Sequence, residues 1–371
     1  MKSTVVSSSR TVRFARPALA LTAVGFFVAG GLAGRTFAQG MPHQIEHPYA
    51  PSSSREMVLR ARTASTAELS VEPVHGNVYA IFGAGGNITA SVGPDGILLV
   101  NTGEAAMAGK VLEVVKKLGA GIDPTPGSPP IPIRIIINTD ALSANTGGNE
   151  KIQAAAEFIT AGGGGGNGGE HIMAHENVLA RMSEPPAGQT KPPRPSEAWP
   201  TDTFRGRTTH TGRFFNGEGV QLIHIPNAHT DGDSVVWFRY SDVIATGDIF
   251  STTGWPVIDL EKGGSFQGVI DGLNLILQTG LLDFKSEGGT MIVPGHGRIG
   301  DLTDIAFYRD MLTIVRDRIQ DGIHRGLTLN QVKAARPTQG WDNRYGSKTG
   351  SWTTDMFIEA AYKSLSQKKG K

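Results

Sequence analysis

The chain contains no cysteine. That excludes disulfides, thiolate zinc sites, a cysteine nucleophile and lipid attachment through sulfur. Neither sign of charge dominates: 35 Lys and Arg stand against 34 Asp and Glu in 371 residues. Residues 1–38 hold Lys2, Arg10, Arg13, Arg16 and Arg35 and no acid, which leaves 30 basic against 34 acidic residues beyond them, a charge near −4. A polyanion partner requires a basic excess, so nucleic acid is excluded as the expected ligand. Long apolar runs are equally scarce. The run from Ala18 to about Gly34 is broken by Gly25, Gly30 and Gly31 and is short for a bilayer span, and no later stretch is apolar enough to cross one.

What is present at the N-terminus reads as an address. A basic start, a short apolar run and Thr36-Phe37-Ala38 form the secretory pattern, with cleavage near Ala38–Gln39. The arginines are spaced rather than paired, so a twin-arginine route is not indicated. A retained membrane anchor is the alternative. The mature chain is therefore expected to be exported, periplasmic or extracellular, with no stable membrane span. Residues 39–66, polar and rich in Ser and Pro, are expected to form a flexible lead.

From Leu69 the texture changes. Val78–Phe82, Ile88–Val92 and Ile97–Val100 are short apolar or alternating runs separated by Gly85-Gly86-Asn87 and Pro94-Asp95-Gly96, a hairpin signature. Ala105–Leu118 carries Met107, Val111, Leu112, Val115 and Leu118 at helical spacing, and Ile133–Ile137 reads as a strand buried on both faces. A second strand series follows in Val220–Ile225, Ser234–Tyr240, Val243–Ala245 and Met291–Val293, and Ile305–Ile323 has the apolar stripe of a helix on a sheet. The glycine-rich residues 161–169 and the stretch 184–200, with six prolines, read as insertions. One domain over residues 67–325 is expected, with a C-terminal extension, 326–371, packing on it.

Chemistry gathers where strands end. Asn138-Thr139-Asp140 follows Ile133–Ile137, His229-Thr230-Asp231-Gly232-Asp233 follows Val220–Ile225, Gly247-Asp248 follows Val243–Ala245, and Pro294-Gly295-His296-Gly297 follows Met291–Val293. Imidazole nitrogen and carboxylate oxygen are the usual ligands of divalent metals. Each His or Asp alone reads more readily as a capped turn or solvated loop residue; four strand ends together point to a site.

These phrases, with Thr146-Gly147-Gly148-Asn149-Glu150 and Ala174-His175-Glu176-Asn177, resemble the metallo-β-lactamase-fold hydrolases in order and spacing over roughly residues 69–320. The resemblance implies an αββα sandwich, two mixed β-sheets flanked by helices, with a metal site at one edge. That site is usually carried by an H-x-H-x-D-H motif, a later His, a bridging Asp and a last His. The last three correspond to His229, Asp248 and His296. The first motif departs: its positions hold Asp140, Leu142, Ala144 and Asn145, and Asn101 replaces a strand-end Asp. The resemblance therefore implies at most one divalent metal, zinc ahead of manganese or iron, held by Asp140, His229, Asp248 and His296, with His229 and Asp248 as catalytic residues. A site without metal is the open alternative.

Several further residues carry two readings each. Ser143 would be a nucleophile if His229 or His296 activated it with Asp248 as orienter, and otherwise caps the following helix. His171 and His175 are four apart, as on one helical face, although His175 also reads as structural. His43, His47 and His75 read as solvated. Trp255 either lines the mouth of the site or packs under a loop. Two functions follow: an exported hydrolase of an ester, amide or lactam bond in a small molecule, or a pseudoenzyme that binds a ligand or an unspecified protein partner.

Overall fold

The computed structural model describes residues 68–122, 128, 130–160, 171–212, 214–281 and 289–367, all within one compact unit, Ser52–Lys371. The N-terminal address, the lead at 39–66 and the glycine run at 161–169 lie outside the described residues.

Strands β1 (Ser70–His75), β2 (Val78–Phe82), β3 (Ile88–Gly93) and β4 (Gly96–Val100) form an antiparallel meander. To its last strand β5 (Ile133–Ile137), β6 (His171–His175) and β7 (Asp202–Phe204) add in parallel, so the sheet runs β1 to β7 in chain order. Parallel neighbours require crossovers. These are α1 (Ala108–Ile122), α2 (Ser143–Thr146) with α3 (Asn149–Thr160), and α4 (Glu176–Ser183). The second sheet holds β8 (Thr208–His210), β9 (Val220–His224), β10 (Ser234–Phe238), β11 (Val243–Ala245), β12 (Met291–Val293) and β13 (Gly300–Asp301), in the order β13-β12-β11-β10-β9-β8. Its one parallel pair, β11 with β12, is bridged by α5 (Phe266–Leu281). The chain closes with α6 (Leu302–His324), α7 (Leu329–Ala334), α8 (Asp342–Tyr345) and α9 (Thr354–Ser366).

Strand alternation assigns the layers. In β4, Leu98 and Val100 join Val236 and Phe238 of the second sheet, whereas Ile97 and Leu99 join Val111 and Val115 of α1. On the far side Trp237, Ile244 and Ile292 pack with Leu273, Tyr308, Leu312 and Phe357 from α5, α6 and α9. The result is helices, sheet, sheet, helices, both sheets mixed. Among the described residues no helix is long and apolar enough to cross a membrane.

Two features differ from the sequence reading, and a third decides between readings it left open. Helix α5 was not legible, because Gly268, Gly272 and Gly280 break its apolar pattern. Close packing explains two of them: a Cβ at Gly268 would run into the Asn227 carbonyl, and one at Gly272 would come within 2.7 Å of Ile225 Cγ2. His171 and His175 bound a strand, not a helix. Trp255 is 4% exposed and stacks on Phe357 at 4.8 Å, so it packs under a loop and lines no mouth.

Candidate functional site

The first sheet contributes a rigid rim. Asn101, just past β4, takes the left-handed conformation (φ 66°), which Asn tolerates better than most residues. Its Oδ1 accepts from Thr139 N at 3.0 Å and its Nδ2 donates to Thr139 Oγ1 at 3.0 Å, joining the ends of β4 and β5. Behind it Asn149 Nδ2 donates to Asn138 Oδ1 (2.8 Å) and to the Ala198 carbonyl (2.9 Å), while Asn149 Oδ1 accepts from Thr102 Oγ1 (2.8 Å) and Asn138 Nδ2 (3.2 Å). All five of these Asn and Thr side chains are buried.

Asp140 is 1% exposed, and its oxygens are taken locally. Oδ1 accepts from Leu142 N at 2.7 Å; Oδ2 accepts from Thr139 Oγ1 at 3.0 Å and Asn145 Nδ2 at 2.7 Å. The same Asn145 nitrogen donates to Asp248 Oδ2 at 3.1 Å. One fully buried carboxamide thus bridges two carboxylates from different sheets. Burial, then the Asp248 charge, raises the Asp140 pKa to about 6.

The second sheet supplies the imidazoles. His229 is 1% exposed; its Nδ1 lies 2.8 Å from the Val257 carbonyl and so carries the proton, whereas its Nε2 has no partner. Asp233 folds the His229 loop by accepting from Thr230 N and Thr230 Oγ1, both at 2.8 Å. Burial raises Asp233 to about 7. His296 Nε2 sits 3.3 Å from Asp248 Oδ1, within ion-pair range but without hydrogen-bond alignment, and Asp248 Oδ1 counts as unpartnered. Burial alone would lower both histidine pKa values. Asp248 outweighs it at His296, and Asp233, Asp248 and Asp140 together do so at His229, so both are raised. Burial opposes ionisation of Asp248, but His296, His229 and Asn145 leave its pKa lowered.

No family model and no curated protein matches the chain. Solved structures do. The stereoselective inverting sec-alkylsulfatase Pisa1 from Pseudomonas sp. aligns at a TM-score of 0.54 and 16% identity, over 80% of this chain and 50% of that one. Its double mutant aligns at 0.55 and 15% identity over the same shares. The chain therefore spans about half the length of these sulfatases. The DIM-1 metallo-β-lactamase aligns at 0.48 and 14% identity, over 67% of this chain and 98% of that one. The chain has the metallo-β-lactamase fold.

In this fold a metal is expected at the edge just described, and the lone pairs decide whether these residues fit one. Both oxygens of Asp140 are occupied by its own loop. Asn145, at the motif's closing-His position, turns its nitrogen and not its oxygen to the carboxylates. A carboxamide N–H is no ligand, and it takes Asp140 Oδ2 and Asp248 Oδ2, leaving only Asp248 Oδ1 and His229 Nε2 of the buried carboxylate and imidazole atoms without a partner. Among the described residues no group of three or more His, Asp or Glu is arranged to hold a metal ion. As arranged, the set does not fit a metal centre.

The other candidates separate clearly. Ser143 is exposed; the N-cap of α2 is Leu142 and no side chain caps it, so Ser143 is neither cap nor partner of His229 or His296. His175 is a core residue: its Nδ1 accepts from Asn177 N at 3.3 Å and its ring stacks on His224 at 3.6 Å. Asp231 binds Arg181 at 2.7 Å. Beside the His229 loop a void of ≈ 10 Å³, lined by Leu142, Val178, Thr230 and Gly232 among others, has room for about one water. Sequence reasoning missed the bridge by Asn145 and the anchoring of His229 on Val257. An Asn where a ligand stands announces neither.

Proposed function

We propose that the protein is a catalytically silent relative of the metallo-β-lactamase-fold hydrolases that binds a ligand or partner without turning it over. The observation that carries this reading is the Asn145 amide nitrogen bridging Asp140 at 2.7 Å and Asp248 at 3.1 Å. It supplies the positive partial charge that both carboxylates need, a role that a cation would otherwise fill. Elemental analysis of the mature protein, as purified and after exposure to zinc, manganese or iron, tests it alongside a panel of ester, amide and lactam substrates. The expected result is no stoichiometric metal and no turnover above buffer. One tightly held metal per chain, lost in His229→Ala together with measurable hydrolysis, would overturn it.

The competing reading is a hydrolase of an ester, amide or lactam bond with at most one divalent metal. In its favour stands the orphaned, fully buried His229 Nε2, with Nδ1 fixed on a backbone carbonyl. An unsatisfied buried group costs roughly 1–3 kcal/mol, so something is expected to meet it. Loss of turnover in both His229→Ala and Asp248→Ala would select this reading. Export is supported by the basic start and apolar run of residues 1–38. N-terminal sequencing of the secreted protein should find Gln39 first; a mature chain still carrying the apolar run would favour an anchor.

A further inference from the structure

A cleft of ≈ 510 Å³ lies far from the strand-end site in sequence, between the last turns of α6, the Arg325–Leu327 turn, α7 and the 335–340 loop. Its volume falls within the roughly 300–1,000 Å³ of small-molecule sites. We propose that this cleft binds an amphipathic organic anion, an oxyanion head on an apolar body.

Charge and floor argue for that class. Arg318, Arg325 and Arg336 line the cleft against a single acid, Asp321. Arg318 is held in place: its Nη1 donates to the Pro337 carbonyl at 2.8 Å and the Gln339 carbonyl at 3.2 Å, and its guanidinium lies 5.2 Å from the Trp341 ring centre. Its Nε and Nη2 make no hydrogen bond among the described residues. A fixed guanidinium with free N–H groups suits a planar oxyanion. Arg325 pairs with Asp321 at 3.1 Å, but the two side chains are 66% and 63% exposed, so water screens the pair and Arg325 can exchange partners. Arg336 reaches Asp342 only at 3.8 Å. The floor is apolar, from Val332 at 2% exposure and the partly buried Leu327.

The backbone offers a separate argument. Helix α6 ends on Gly326 in the left-handed conformation (φ 74°), the usual choice just past a helix; α7 ends on Arg336 in the same conformation (φ 51°). Only the side chain distinguishes Arg from Gly there, and the conformation disfavours it. The arginine in that strained place lines the cleft.

Isothermal titration of the mature chain with octanoate, 1-octanol and acetate tests the proposal. Octanoate should bind once per chain, at least tenfold more tightly than either octanol, which lacks the head, or acetate, which lacks the body. The double variant Arg325→Glu with Arg336→Glu should weaken octanoate at least tenfold at an unchanged melting temperature, and the remote exposed Arg205→Glu should leave it unaltered. Equal affinity for octanol and octanoate, no saturable binding, or no effect of the double variant would each overturn it. Co-sedimentation with phosphatidylglycerol vesicles, lost in the same double variant, would replace a free anion by a lipid surface and overturn it as well.

Discussion

At the edge where the sheets meet, the loops of the first sheet satisfy one another save at Asn145 Oδ1, while those of the second leave His229 Nε2 and Asp248 Oδ1 over. Asn101, Asn138, Thr139, Asp140 and Asn149 are all buried and all hydrogen-bonded. On the other side His229 Nε2 and Asp248 Oδ1 have no hydrogen-bond partner. Asn145 joins the halves, with its nitrogen engaged on both carboxylates and its own Oδ1 orphaned. On the first side the polar residues are scaffold. On the second they carry buried lone pairs that no neighbouring protein group meets. A buried network that is complete adds rigidity; one that is incomplete is a site awaiting a partner or a remnant.

The largest expected effect tests the scaffold half. Asn149→Ala would strand the Asn138 amide and the Ala198 carbonyl in the interior and leave the Thr102 hydroxyl only its longer bond to the Asn145 carbonyl, at a cost on the order of 3 kcal/mol in denaturant unfolding. His229→Ala removes a side chain with one hydrogen bond and should cost about half of that or less. Equal losses would erase the distinction between the halves.

The next effect tests the bridge. Asn145→Ala leaves two buried carboxylates without their shared donor and should cost about 2 kcal/mol. Restoring the motif, with Asp140→His, Leu142→His, Ala144→Asp and Asn145→His together, should raise zinc affinity at least tenfold by calorimetry. No gain would mean that the loop itself has left the ligand position, and the bridging amide would then be a consequence of that shift.

Much of the fold was legible because turn residues bracket each strand. Val78–Phe82, Ile133–Ile137, Val243–Ala245 and Met291–Val293 end where the sequence ends them. Helix α5 was hidden because glycines needed for close packing also erase a helical pattern. His171 and His175 misled because residues four apart share a face in a strand as well as in a helix. The strand-end placement of Asp140, His229, Asp248 and His296 was readable from the motifs. Their hydrogen-bond state was not: Asn145 is a weak oxygen ligand or a strong nitrogen donor according to how its amide is turned, and only the carboxylates around it decide that.

A smaller effect separates the halves by pH. Asp140 rises to about 6, so it holds protons more tightly folded than unfolded, and stability falls as pH climbs from its ordinary 3.8 through about 6. The raised His229 and His296 contribute stability that is complete below 6.5 and lost as pH passes through their folded values. Asp248 is among the causes of all three shifts, so Asp248→Asn should flatten the decline on both limbs. Asp233, raised to about 7 by burial, keeps its share, so the curve should flatten without becoming level. Unfolding free energies measured from about pH 4 to pH 8 decide; parallel curves for the two proteins would uncouple Asp248 from the cluster.

The smallest effect asks whether the ligand-like half is also the looser one. The His229 loop is fastened to α4 by Arg181 on Asp231, at 2.7 Å with the side chains 37% and 27% exposed, and by Asn177 Nδ2 donating to the Asp231 carbonyl at 2.8 Å. A partly solvated pair of this kind contributes only about 0.5–1 kcal/mol, so Arg181→Ala should hardly move the unfolding midpoint. Local opening is another matter, because Thr230, Gly232 and Asp233 close the loop on themselves and rely on Arg181 and Asn177 to hold it against the helix. Amide exchange at residues 230–233 should quicken in Arg181→Ala, while that of β5 and the Asn138–Asn149 region stays as it was. Faster exchange spreading equally into the Asn138–Asn149 network would mean that the two halves open together, and that the unpartnered atoms around His229 belong to one rigid cluster rather than to a loop free to receive a ligand.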